Sequence, residues 1–215
     1  MTTIRAYLGG SFDPVHLGHL TMAHRVFNQL SKHFGGHEIL TFLLPTAGNP
    51  FKGTPTPAQH RLAMLNLATQ GTPIQIDSHE IKQTPPIYTI DTVRFLQKSH
   101  SDDVLILIMG KDSLLTLPTW KDSQALQQAI NFWVFDRNTD DKDVLDHLSA
   151  RFTTDLNHLI CQTGLIYPDP TPIANISSSQ LRAWIAHNNP QANLFLPDAV
   201  ANYINQHALY RQSVI

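Results

Sequence analysis

An α/β fold is predicted by three features of this 215-residue sequence. Strand-like and helix-like segments alternate almost throughout, the pattern of a mainly parallel sheet with helical crossovers. Val104-Leu105-Ile106-Leu107-Ile108-Met109 is apolar at every position, as a strand covered on both faces requires. The chain also opens with a strand, a glycine-containing turn and a helix in immediate succession. The expectation is an open, Rossmann-like sheet with helices on both faces, forming a single domain over residues 1–215.

The elements can be justified in order. Ile4-Arg5-Ala6-Tyr7-Leu8 reads as the first strand, and Leu20, Ala23, Val26, Phe27, Leu30 and Phe34 mark a long helix after it. Glu38 to Leu44 forms a second strand, ended by Pro45. A Pro-, Gly- and Thr-rich loop spans Thr46 to Pro57. A helix with Leu62, Leu65 and Ala68 on one face follows, and Ile74-Gln75-Ile76 reads as a short strand. Pro85-Pro86 bars regular structure before a helix beginning near Tyr88 with Val93 and Leu96. Val104–Met109 and Ile130–Phe135 are further strands. Residues 138–163 suggest helix and loop without a clean period, and two helices starting at Ser178 and Asp198 close the chain.

Composition narrows the class. The net charge is −2 with 15% charged residues, so the electrostatic footprint of a nucleic-acid binder is missing. The longest apolar run is far too short to span a bilayer, and no secretory signal opens the sequence. Cys161 is the single cysteine, which excludes an internal disulfide and a cysteine-based metal cluster. A cytoplasmic protein with small-molecule substrates is expected. Oligomeric state is left open by the sequence, a homo-oligomer included.

Chemistry concentrates in Gly9-Gly10-Ser11-Phe12-Asp13-Pro14-Val15-His16-Leu17-Gly18-His19-Leu20. Gly9 and Gly10 let the backbone approach a ligand, and the first-turn N–H groups of the following helix attract anions. His16 and His19, three apart, would share one helix face, and Gly18 leaves room above that turn. Two imidazoles, a helix start and bare backbone suit a polyphosphate. A zinc pair fits less well, because two ligands at i, i+3 alone make a poor zinc site.

This stretch resembles the H-x-G-H signature of the nucleotidylyltransferase superfamily, in the form closest to the bacterial nicotinate-nucleotide adenylyltransferases. A second segment supports the resemblance. Ile176-Ser177-Ser178-Ser179-Gln180-Leu181-Arg182 is similar to the superfamily's I-S-S-x-x-[IL]-R motif. Ser177 with Gln180 also matches a plain capping box. In the functional reading, the hydroxyls and N–H groups hold phosphate and Arg182 clamps it.

Three segments resemble the nicotinate-nucleotide branch in particular. Asn49-Pro50-Phe51-Lys52 stands where that family has P-P-H-K, with Phe51 replacing the histidine. Gln83 to Thr92 aligns with S-Y-T-x-x-T, with Ile87 replacing the serine. Gly110-Lys111-Asp112-Ser113-Leu114 with Trp120 resembles G-A-D-x-[LF] and a following tryptophan, with Lys111 replacing the alanine. An indole can stack on a pyridine ring, though Trp120 could equally be a packing aromatic. Asp112 could bind a ribose hydroxyl or cap a helix.

The resemblance implies transfer of AMP from ATP to nicotinate mononucleotide, giving nicotinate adenine dinucleotide and pyrophosphate, as in NAD biosynthesis. It assigns His16, His19, Lys52 and Arg182 to catalysis. ATP would contact Gly9, Gly10, Ser11, Phe12, His16, Gly18 and His19, then Gly110, Asp112 and Arg137, and finally Ile176, Ser177, Ser178, Ser179 and Arg182. The mononucleotide would contact Ser11, Phe12, Lys52, Thr84, Tyr88, Thr89, Asp112 and Trp120. Mg²⁺ would be held by ATP phosphates and water, with no dedicated protein ligands. The alternatives are an adenylyltransferase of the same fold acting on nicotinamide mononucleotide or phosphopantetheine, a cytidylyltransferase, or a non-catalytic dinucleotide sensor. Phosphopantetheine enzymes usually carry threonine at the position of His16.

Overall fold

The computed structural model describes residues 2–48, 55–135, 148 and 150–211. Seven strands form one sheet in the order β3-β2-β1-β4-β5-β7-β6, and every registered pair is parallel. They are β1 (Thr3–Gly10), β2 (Glu38–Pro45), β3 (Ile74–Ile76), β4 (Val104–Gly110), β5 (Asn131–Phe135), β6 (Arg151–Phe152) and β7 (Leu165–Asp169). The helices are α1 (Leu17–His33), α2 (Ala58–Thr69), α3 (Thr89–Ser99), α4 (Lys111–Thr116), α5 (Ser123–Ala129), α6 (Asn157–Cys161), α7 (Ser178–Ala186) and α8 (Asp198–Gln206).

The two-residue period of the strands divides the core. Ile4, Ala6 and Leu8 of β1 join Leu30 of α1, Met64 of α2, Leu181 of α7 and Val200 of α8. Tyr7 of the same strand faces the other way, with Val93 of α3, Leu114 of α4 and Leu126 of α5. Helices therefore cover both faces, and the central strands are apolar on both sides for that reason.

Strand order reverses between β1 and β4, because the chain builds outward from β1 to β3 and then returns to place β4 on the opposite side. Register brings the strand ends level. Gly10 pairs with Pro45, Gly110 with Phe135, and Phe135 with Asp169, while Leu8 sits beside Ile108. A crevice at such a reversal is where open parallel sheets hold ligands.

Two readings of the sequence are revised and one element is added. β6 arises within residues expected to be helix and loop, and β7 lies in a stretch to which no element was assigned. Pro168 lacks an N–H group and so disguises β7 as a non-strand. Tertiary bonds place that strand instead: the fully buried Asn131 side chain donates to the Leu159 and Gln162 carbonyls and accepts the Leu165 N–H. On α2 the buried face is Arg61, Met64, Leu65 and Ala68, and Leu62 is only half-buried.

Candidate active site

The turn after β1 is the centre of the site. Phe12 has φ 48°, a left-handed conformation uncommon for a bulky residue, and its ring occupies the space that a Cβ on Gly10 would enter at 3.2 Å. Gly9 is exposed, and a Cβ built on it would meet nothing within 4 Å, so the backbone there borders open space. His16 is the N-cap of α1 with extended backbone, so the helix begins one residue after it. His16 and His19 form a reciprocal capping box in which the His16 N–H donates to His19 Nδ1 at 3.4 Å. Their rings still face each other, stacked with centroids 3.7 Å apart. His16 is buried and His19 half-buried, which leaves His19 the more accessible member.

The second motif packs directly on this turn. The Ser178 hydroxyl donates to the Pro14 carbonyl at 2.9 Å, and Arg182 Nη1 donates to the Asp13 carbonyl at 2.6 Å. Ser177 is the N-cap of α7, its hydroxyl accepting the Gln180 N–H at 3.2 Å, and Arg182 Nη2 reaches the Ser179 hydroxyl. The capping reading therefore holds at this helix start, and Arg182 stands one turn into it. Ile176 is buried, and its Cγ2 lies 3.2 Å from the Cβ that Gly18 lacks. Gly18 is thus a further point at which the two motifs approach each other.

The other half of the site lies beyond β4. Gly110 is the N-cap of α4, and Asp112 is exposed in its first turn. Trp120 is half-buried against the second core face, its indole N–H donating to the Thr116 hydroxyl at 3.2 Å. Tyr88 caps α3, and Thr89 is that helix's first residue. Lys121, next to Trp120, lies 4.4 Å from the centre of the Tyr88 ring and 3.1 Å from Asp91. That contact ties the Tyr-Thr segment to the residue that follows the tryptophan. Thr84 is exposed before α3. Lys52 and Arg137 lie outside the described residues.

Five residues that support the site are not read from the sequence in functional terms. Arg61 is 1% exposed and donates to the carbonyls of Ser11, Thr46 and Thr56 at 2.7 to 2.9 Å, with its pKa lowered chiefly by burial. The signal was available: an arginine stands in the i, i+3, i+4, i+7 stripe of an apolar helix face. Asp13 and Tyr210 bond to each other across the chain ends. Asp169, at the end of β7, accepts both the Trp133 indole N–H at 3.0 Å and the Arg25 guanidinium at 2.8 Å. Arg25 also donates to Thr171, which fixes the path of the chain toward Ile176.

A turn of backbone and imidazole thus faces a serine-rich helix start that carries an arginine. Residues 7–184 match the cytidylyltransferase-like family, and the chain belongs to that family, a class of nucleotidyl transferases. Its curated relatives are more specific. "Probable nicotinate-nucleotide adenylyltransferase" of Symbiobacterium thermophilum is 38% identical over 208 residues, covering 95% of this chain and 94% of the relative. The protein of the same name from Idiomarina loihiensis is 34% identical, covering 96% and 99%. Within the family the chain is thus one of the nicotinate-nucleotide adenylyltransferases. The fold matches Plasmodium falciparum nicotinic acid mononucleotide adenylyltransferase complexed with NaAD, with TM-score 0.74, 16% identity and 97% of each chain covered.

Proposed function

We propose that the protein transfers AMP from ATP to nicotinate mononucleotide, releasing pyrophosphate and forming nicotinate adenine dinucleotide in NAD biosynthesis. The observation that carries this reading is the docking of Ser178 and Arg182 onto the turn that bears His16 and His19, in a chain with full-length nicotinate-nucleotide adenylyltransferase relatives.

The mononucleotide phosphate is ionised near neutral pH and attacks the α-phosphorus of ATP without a general base. Rate then depends on alignment and on stabilising the charge that spreads over the transferred and leaving groups. His19 and His16 donate hydrogen bonds to phosphate oxygens, and Lys52 and Arg182 supply positive charge. Arg182 engages two of its five N–H groups within the protein and turns others to the triphosphate. Gly9 and the first turns of α1 and α7 offer backbone N–H groups. Gly110, Asp112 and Arg137 serve the ATP side of the crevice. Trp120 stacks on the pyridine ring, while backbone N–H groups at Tyr88 and Thr89 receive its carboxylate.

Among the described residues no three His, Cys, Asp or Glu side chains gather around a common point. We read Mg²⁺ as entering with ATP, carried by phosphate oxygens and water. When bound, Mg²⁺ neutralises charge on the triphosphate. Among the described residues no helix is long and apolar enough to cross a membrane. From the reaction class, we read the protein as a cytoplasmic enzyme of one domain that acts on small molecules without nucleic acid.

One assay tests the reading. Purified protein with ATP and Mg²⁺ is offered nicotinate mononucleotide, nicotinamide mononucleotide or phosphopantetheine, and product is resolved by chromatography. Dinucleotide from the nicotinate substrate, at higher kcat/KM than from the amide, is expected. Turnover of phosphopantetheine instead, or binding without turnover, would reject it.

A further inference from the structure

We infer that Asp13 is a positioning residue for the transfer reaction and that Tyr210, near the far end of the chain, is the group that holds it. The inference rests on the function proposed above and adds a pair to which no role in the reaction was given. Asp13 is 5% exposed and collects three bonds from three distant segments. Its carbonyl takes Arg182 Nη1 at 2.6 Å, its Oδ2 takes the Thr56 N–H at 3.1 Å, and its Oδ1 takes the Tyr210 hydroxyl at 2.6 Å. The turn after β1, the segment leading into α2, the α7 start and the residue four places beyond α8 therefore converge on one side chain and its carbonyl.

The turn needs such support. Phe12 holds a left-handed backbone that its own sterics disfavour, so neighbouring contacts must maintain it. Arg61 grips the Ser11 carbonyl on one side of Phe12, and Asp13 is anchored on the other. The Asp13 carboxylate also opposes the charge of the buried Arg61 guanidinium. Tyr210 itself has φ 62°, again a conformation that tertiary contact must hold. Burial first, and then the bond to Asp13, push its phenol far above the ordinary tyrosine range, which keeps it a donor. Three residues after Asp13 comes His16. Loosening the Asp13 anchor moves the imidazoles relative to the reacting phosphate, a loss that appears in kcat rather than in binding.

Tyr210→Phe in the full chain removes one hydroxyl and keeps the ring. Expected is a kcat fall of about tenfold or more, as misplaced catalytic groups produce, with both KM values within about twofold and little change in Tm. The Thr56 amide, which donates to Asp13, should exchange its hydrogen faster. Tyr203→Phe is the control: Tyr203 also carries a hydroxyl on the C-terminal helix, but it bonds His60 on α2 at 2.9 Å. Its kcat should match the wild type. Wild-type kcat in Tyr210→Phe, or an equal fall in Tyr203→Phe, overturns the inference. If the wild type forms no dinucleotide, the proposed function fails, and Thr56 exchange still decides the pair: unchanged protection in Tyr210→Phe rejects it. Should Tyr210→Phe melt below the assay temperature, Asp13→Asn must show the same loss of kcat, and normal turnover there rejects the inference.

Discussion

The imidazoles of His16 and His19 are stacked, with centroids 3.7 Å apart and planes 25° from parallel. The Phe12 ring meets His19 edge-on at 4.9 Å. Neither imidazole can rotate without disturbing a neighbour, so the donors are held in place before substrate arrives. That is the condition under which a hydrogen bond contributes most to a charged transition state. Gly18 is part of the same device. A Cβ there would stand 3.0 Å from His16 Nδ1 and 3.2 Å from Ile176, so even alanine would push the two motifs apart.

His19→Ala and His16→Ala should differ in kind. His19 is half-buried, and its loss should lower kcat by about 10²–10³ with little change in Tm. His16 is 1% exposed and caps α1, so its replacement should cost a similar rate factor and also about 1 kcal/mol of stability. The double mutant should be less impaired than the product of the single effects, since the rings act as one unit. Steady-state kinetics beside thermal melts checks each value. Near-normal kcat in His19→Ala would remove it from the mechanism.

Arg182→Lys should not restore function although it keeps the charge. The guanidinium donates through Nη1 to the Asp13 carbonyl and through Nη2 to Ser179, and a single ammonium cannot keep both while reaching phosphate. A rise in ATP KM or a fall in kcat of tenfold or more is expected, with the mononucleotide KM little changed. Equality with the wild type in both parameters would argue against a clamp.

How much of this was legible follows from where each signal lies. β4 could be read because burial on both faces forces a continuous apolar run, and β1 and β5 because their apolar stretches are interrupted only by Arg5 and Asn131. The H-x-G-H and I-S-S stretches could be read because backbone approach and helix-start chemistry demand particular residues at fixed spacing. β7 could not, because Pro168 interrupts its pattern and its position depends on Asn131, 34 residues from Leu165. Arg61 escaped notice because a buried cation is identified by the carbonyls around it, and those come from Ser11, Thr46 and Thr56. The Asp13–Tyr210 bond spans 197 residues, a separation that no local period reports.

Glu80 gives the protein a pH signature. It is buried, it accepts the Thr92 hydroxyl at 2.5 Å, and burial raises its pKa above the ordinary value of 4.5. With the folded pKa above the unfolded one, the folded state holds the extra proton as pH rises past 4.5. Stability contributed by the neutral form is therefore complete below that pH and is lost progressively up to the folded pKa. Glu80→Gln keeps an acceptor for Thr92 and removes the titration. Melting curves from pH 4 to 8 should show the variant gaining Tm over the wild type as pH rises. A constant difference across that range would contradict the assignment.

Trp120→Ala should weaken the mononucleotide and spare ATP. Trp120 is half-buried, packed on the second core face and bonded through its indole N–H to Thr116, so its ring plane is fixed before any ligand arrives. It follows β4, the strand beside β1 at the reversal of the sheet, and its neighbour Lys121 contacts the Tyr88 ring. Stacking of a base on an aromatic side chain contributes about 1–3 kcal/mol, or roughly five- to 150-fold in affinity. Because the side chain is only half-buried, the loss of stability should stay below the ~3–5 kcal/mol typical of emptying a fully buried tryptophan site. Trp120→Phe, which retains a stacking face, should recover part of the affinity. Binding isotherms for each ligand, together with melting curves, separate a ligand platform from a packing residue. Equal weakening of ATP and mononucleotide with a large drop in Tm would make Trp120 a packing residue and leave the pyridine ring to Tyr88.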